Sequence, residues 1–105
     1  MPETRVNGLV PVADVVCVLR LSEEQVCAGY LAARKAMVAA GTRVLSLGRL
    51  VAEHPGRTDY RRAWFTAQAN HAAALNRTEI AYSRWTRAQL RTDAAWSATT
   101  GRAAA

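Results

Sequence analysis

Aromatic residues are scarce, at 7% of the 105-residue chain, with a single Phe. Lysine is scarcer still: 13 Arg stand beside one Lys. Only two cysteines are present, Cys17 and Cys27. Each shortage excludes something. Few aromatics mean that alanine carries much of the 50% apolar content. At ~25 cal/mol per Å² of buried apolar surface, an alanine core stabilises a fold weakly, and a small domain buries a modest share of its surface anyway. A partner is therefore expected. Two cysteines ten positions apart match no zinc spacing and make no disulfide framework; buried free thiols are the expectation.

Long apolar runs are missing too. The stretch from Leu9 to Leu21 is broken by Pro11, Asp14 and Arg20, and a bilayer span needs ~20 residues. It also lacks the basic start and cleavage site of a signal peptide. The expectation is a cytoplasmic protein with no membrane association. No P-loop, dinucleotide fingerprint, paired carboxylates or nucleophile with a base occurs. Asp14, Glu23, Glu24, Glu53, Asp59, Glu79 and Asp93 are scattered or sit where helix capping explains them. His54 and His71 do not converge, so His71 reads as a packed core residue and His54 as a turn residue. Neither a cofactor nor a metal is called for. Catalysis is not expected, although a small enzyme with its site between protomers stays in view as a third reading.

What is present is periodicity. Tyr60, Ala67, Ala74, Ala81, Ala88 and Ala95 recur every seven residues, and so do Trp64, His71, Thr78, Trp85 and Thr92. A heptad repeat keeps one helix side on one partner, and alanine at one position lets two axes approach. The spacing predicts a helix from about Asp59 to Ala98. A second predicted helix runs from about Glu23 to Glu53, started by Ser22 as cap with Gln25 closing a capping box. Its apolar stripe is Val26, Tyr30, Ala33, Met37, Ala40, Val44, Leu47 and Val51, widened by Leu31, Val38 and Leu45. Pro55 and Gly56 break the chain between the helices, with Thr58 or Asp59 as the next cap. So short a connection joins antiparallel neighbours.

Folding the chain near residue 56 places Gly48 opposite Trp64, Gly41 opposite His71, Arg34 opposite Thr78 and Cys27 opposite Trp85. Ala67, Ala74 and Ala81 then face Leu45, Val38 and Leu31. Large groups meet small ones at three of these four levels, as a packed core requires. The expected fold is all-α. It has a short N-terminal arm over 1–21, an antiparallel hairpin of two long helices over 22–98 with its turn near 54–58, and a disordered tail over 99–105. The Val-rich stretch 12–21 fits a short helix or an extended arm. Two such hairpins are expected to pair as a dimeric four-helix bundle.

Two surfaces carry the functional expectations. Leu75, Tyr82 and Trp96 lie beyond the alanine seam, and Val15, Val18 and Leu19 need covering in the arm. Trp and Tyr are common interface anchors. These six residues form the predicted protein interface of a non-catalytic, oligomerising assembly or adaptor subunit. The formal net charge of +6 suits an anionic partner as well as plain solvation. Arg77, Arg84 and Arg91 recur every seven with Arg87 beside them, about 10.5 Å apart along the axis. Such a stripe can track phosphates, which makes nucleic-acid binding the alternative function.

Overall fold

The computed structural model describes residues 12–104, and the side chains of 14–101. Two helices account for nearly all of it: α1 over Val12–Glu53 and α2 over Thr58–Ala104. They pack side by side as an antiparallel hairpin. Among the described residues there is no strand.

The turn forms where Pro55 forbids further helix. The His54 N–H still donates to the Leu50 carbonyl, at 2.9 Å, and the Arg57 N–H then donates to the His54 carbonyl, at 3.0 Å. This closes a four-residue turn with proline second, where its fixed φ belongs. Gly56 does not adopt the left-handed backbone, and a Cβ there would meet nothing within 4 Å. α2 opens at Thr58, so neither Thr58 nor Asp59 is the flanking cap expected of them. Asp59 lies in the first turn and instead holds the Arg57 guanidinium through contacts of 2.9 and 2.6 Å. That guanidinium lies 4.2 Å from the Tyr60 ring centroid, and His54 meets the same ring edge-on. The reversal is clasped from both sides.

The expected register holds at two well-defined points. A Cβ built on Gly48 would sit 3.3 Å from Trp64 Nε1, and one on Gly41 3.2 Å from His71 Nε2. Residues whose numbers sum to about 112 therefore stand level, and Tyr30 against Tyr82 continues the series. The alanine seam lies innermost: Ala67, Ala74 and Ala88 are only 2–3% exposed. Two threonines of the neighbouring heptad column are buried with it. Thr78 donates to the Ala74 carbonyl and, across the pair, to the Ala33 carbonyl; Thr92 donates to the Ala88 carbonyl. Bonding back to the residue four before satisfies these hydroxyls inside the seam.

Several expectations are corrected. α1 does not start near Glu23. It starts at Val12, and Ser22 is interior to it rather than its cap. The physical reason is phase. Val16 and Leu19 precede Glu23 and Val26 in the same alternating steps of three and four, so the stripe continues upstream. Val16 is buried at 6% exposure. Tertiary packing overrides the strand preference of valine. The stretch 12–21 is thus the first turns of α1 instead of a separate arm, while residues 1–11 lie outside the described ones. At the other end α2 continues past Ala98 to Ala104, so the expected tail is mostly helix. The ring that Trp85 stacks on is Tyr30, with centroids 5.4 Å apart, a contact the spacing did not anticipate. Leu31, Val38 and Leu45 do not cover the alanines: all three are more than half exposed. One neighbouring helix reaches only part of an apolar arc this wide. The cysteines are not the buried thiols expected either. Cys17 is exposed and Cys27 half-buried, because each sits one residue past the stripe, about 100° round α1 from Val16 and Val26.

Candidate functional site

The hairpin is one helix thick. Its extents are 73 × 30 × 13 Å, and a helix with its side chains measures ~10–12 Å across. It therefore presents two broad sides, and heptad position decides which residues belong to each.

One side is marked by the glycine contacts. Leu45 and Val38 precede Gly48 and Gly41 by three residues, hence lie roughly 60° from them around the helix. On α2, Leu75 and Tyr82 follow His71 and Thr78 by four, roughly 40° further round. Tyr82 packs on Tyr30 and on Trp85, and the Arg20 guanidinium lies 5.7 Å from the Trp96 ring centroid. Phe65 leans on Trp64, with 5.8 Å between centroids. These contacts place the columns Leu31–Val38–Leu45 and Leu75–Tyr82–Trp96 on the same broad side.

By level, the large apolar groups here fall into three tiers: Leu45 with Phe65, Val38 with Leu75, and Leu31 with Tyr82. The α1 members are about 10.5 Å apart, one heptad of rise, as are Leu75 and Tyr82, while Phe65 lies about 15 Å from Leu75 along α2. Leu45 is 69% and Phe65 64% exposed; the other four range from 41% to 58%. Toward the open end the face becomes charged, where Arg20, Glu23, Glu24, Thr92 and Asp93 line a shallow cleft. Toward the turn, Arg61 is exposed in the same α2 column as Leu75 and Tyr82.

The opposite side carries arginine. Arg77 and Arg84 lie about 160° round α2 from Leu75 and Tyr82, and Arg91 continues their column. All three are exposed, as is Arg87 beside them. Arg84 and Arg87 border a shallow groove with Asn76, Glu79, Ile80 and Ser83. Nearer the turn, Arg43 of α1 joins Arg62 around a second groove that spans both helices.

The six residues expected at the interface do not form one patch. Leu75, Tyr82 and Trp96 share the glycine-marked side and are about half exposed. Val15 and Val18 are exposed as well, but they lie roughly 140–160° round α1 from Arg20, on the arginine side. Leu19 is half-buried toward α2. Spacing alone does not reveal Leu31, Val38, Leu45 and Phe65 as surface residues. The available signal is an apolar arc wider than one neighbour can cover.

The chemistry on offer elsewhere is limited. Among the described residues no group of three or more His, Cys, Asp or Glu is placed to hold a metal ion, and no helix is long and apolar enough to cross a membrane. His71 is half-buried against Gly41, and His54 is exposed at the turn. The carboxyl of Asp59 is lowered to about 2, chiefly by its hydrogen bond from Arg57. Comparison with protein-family models, curated proteins and solved structures returns no match for this chain.

Proposed function

We propose that the protein is a non-catalytic, self-associating helical hairpin that serves as an assembly or adaptor subunit, two copies closing into a four-helix bundle. The observation that carries this reading is the inversion of its apolar inventory. Among the described residues the buried apolar ones are Val16, Ala67, Ala74 and Ala88, while Leu31, Val38, Leu45, Phe65, Tyr82 and Trp96 stay exposed. The chain presents 7814 Å² of accessible surface, against about 5,800 Å² for a compact protein of its mass. Its radius of gyration is 22.8 Å, against about 13 Å for a compact chain of this length. A second layer supplies the missing core. The exposed free thiol of Cys17 suits a reducing compartment, hence the cytoplasm. Sedimentation equilibrium across micromolar concentrations tests the proposal. A dimer or higher oligomer is expected, and a fully helical monomer throughout rejects it.

The arginine side supports a second reading, nucleic-acid binding through Arg77, Arg84, Arg87 and Arg91. What favours it is that all four are exposed on the side away from the apolar tiers, so both surfaces can be occupied at once. Duplex DNA binding should then fall steeply with salt as counterions are released. Changing Arg77, Arg84 and Arg91 together to Gln should weaken binding and flatten the salt slope while leaving self-association intact. No gel shift at low salt with the unmodified protein rejects this reading.

A further inference from the structure

We infer that the tiered apolar face receives a second copy of this chain in reversed direction, about a two-fold axis through the Val38–Leu75 tier. The inference rests on the self-association proposed above and adds its surface and polarity. An isologous interface must be self-complementary about its axis. Reversal about the middle tier lays Leu45 of one copy over Leu31 of the other, and brings Phe65 within about 4.5 Å of the level of Tyr82. Val38 and Leu75 then meet their own equivalents. All six side chains are covered in a single step.

Charge selects this direction over its alternative. Levels follow from the register, in which facing residues sum to about 112. On that scale Arg61 lies about two tiers from the axis toward the turn. Glu24, in the α1 column of Leu31 and Val38, lies about two tiers from it toward the open end. Reversal therefore sets Arg61 of each copy level with Glu24 of the other. It also brings the cleft of Glu23, Glu24 and Asp93, which Arg20 only partly offsets, over a turn end that carries exposed Arg49 and Arg61. Of the acidic residues of that end, Asp59 borders the groove on the arginine side, while Glu53 lies at the outer edge of α1, about 40° round from Arg49. A copy running in the same direction instead sets Arg61 level with Arg61, Arg34 with Arg34 and Glu24 with Glu24. Like charges held together across an interface disfavour that pairing.

Area supports a copy of this size. A stable interface removes about 800 Å² per partner. The chain's 7814 Å² exceeds the surface of a compact protein of its mass by about 2,000 Å².

The test uses the full chain and sedimentation equilibrium, with circular dichroism on every variant. Val38→Glu puts two carboxylates near the axis. Its site is already 58% exposed, so helicity should persist while association weakens more than ~tenfold. Val18→Glu, on the other side, should leave association unchanged. Glu24→Arg and Arg61→Glu should each weaken it several-fold, and the double exchange should restore it to within about threefold, as coupled partners do. A wild-type monomer overturns both this inference and the self-association reading. An oligomer indifferent to Val38→Glu, or equally sensitive to Val18→Glu, overturns the face but leaves self-association standing. An oligomer lost with Val38→Glu but not rescued by the double exchange overturns the reversed direction.

Discussion

At the scale of single residues, the glycines of α1 separate into two kinds. Gly41 and Gly48 lie against His71 and Trp64, whereas a Cβ on Gly29 would meet nothing within 4 Å. Glycine inside a helix costs ~1 kcal/mol relative to alanine. Gly29→Ala should therefore stabilise the hairpin by roughly 0.5–1 kcal/mol, read as a raised urea midpoint. Gly48→Leu should destabilise it by about 1–3 kcal/mol, because the indole of Trp64 already stands against the glycine. The pairing of small with large was legible in the sequence because both heptad series keep the same step. What spacing hid was depth: Leu31, Val38 and Leu45 follow the stripe faithfully and still face outward. Asp59 offers a titration. Its hydrogen bond from Arg57 holds its carboxyl at about 2, and it also sits at the helix end that favours negative charge. A depressed folded-state pKa gives a contribution present above the unfolded value near ~4 and lost as pH falls through the folded one. NMR titration of Arg57→Ala should find the Asp59 carboxyl moved up toward the ordinary carboxylate range. Both partners are more than half exposed, so the stability change should be small.

At the scale of elements, α1 poses a sharp question at Ser22. A helix cap replaced by alanine loses about 1 kcal/mol. A serine in a continuous helix replaced by alanine gains a few tenths, because alanine is the better helix former. Since α1 runs unbroken from Val12, Ser22→Ala should be neutral to slightly stabilising, as judged by thermal melting. The turn was legible because Pro55 terminates a helix whatever surrounds it. The start of α1 was not. Ser22-Glu23-Glu24-Gln25 has a strong capping composition, and valine before it favours strand; only the unbroken stepping through Val16 and Leu19 points the other way. A separate arm would leave Val15 and Val18 free to join the aromatic flank. In a continuous α1, phase puts them on the arginine side. That Leu75, Tyr82 and Trp96 share one exposed column was legible through a spacing that α2 keeps from end to end.

At the scale of the whole molecule, a plate 73 Å long and 13 Å thick has no interior in the usual sense, so association changes its shape predictably. The Val38–Leu75 axis lies about 8 Å from the middle of the plate toward the turn, at 1.5 Å per residue. A reversed pair should thus extend to about 90 Å, given that rise, whereas turn-to-turn stacking would roughly double the length. Small-angle scattering on the dimer distinguishes the two. The constant register has another consequence, which concerns order in time. The sequence gap between facing residues widens steadily, from Gly48 and Trp64 through Gly41 and His71 and Tyr30 and Tyr82 to Arg20 and Trp96. Closing a wide gap first costs more chain entropy than closing a narrow one, but each closed pair shortens the loop left to the next. The hairpin should assemble as a zip from Pro55 outward and fray in the opposite order. Backbone amides would then exchange with solvent earliest at the Arg20–Trp96 end and latest beside the turn.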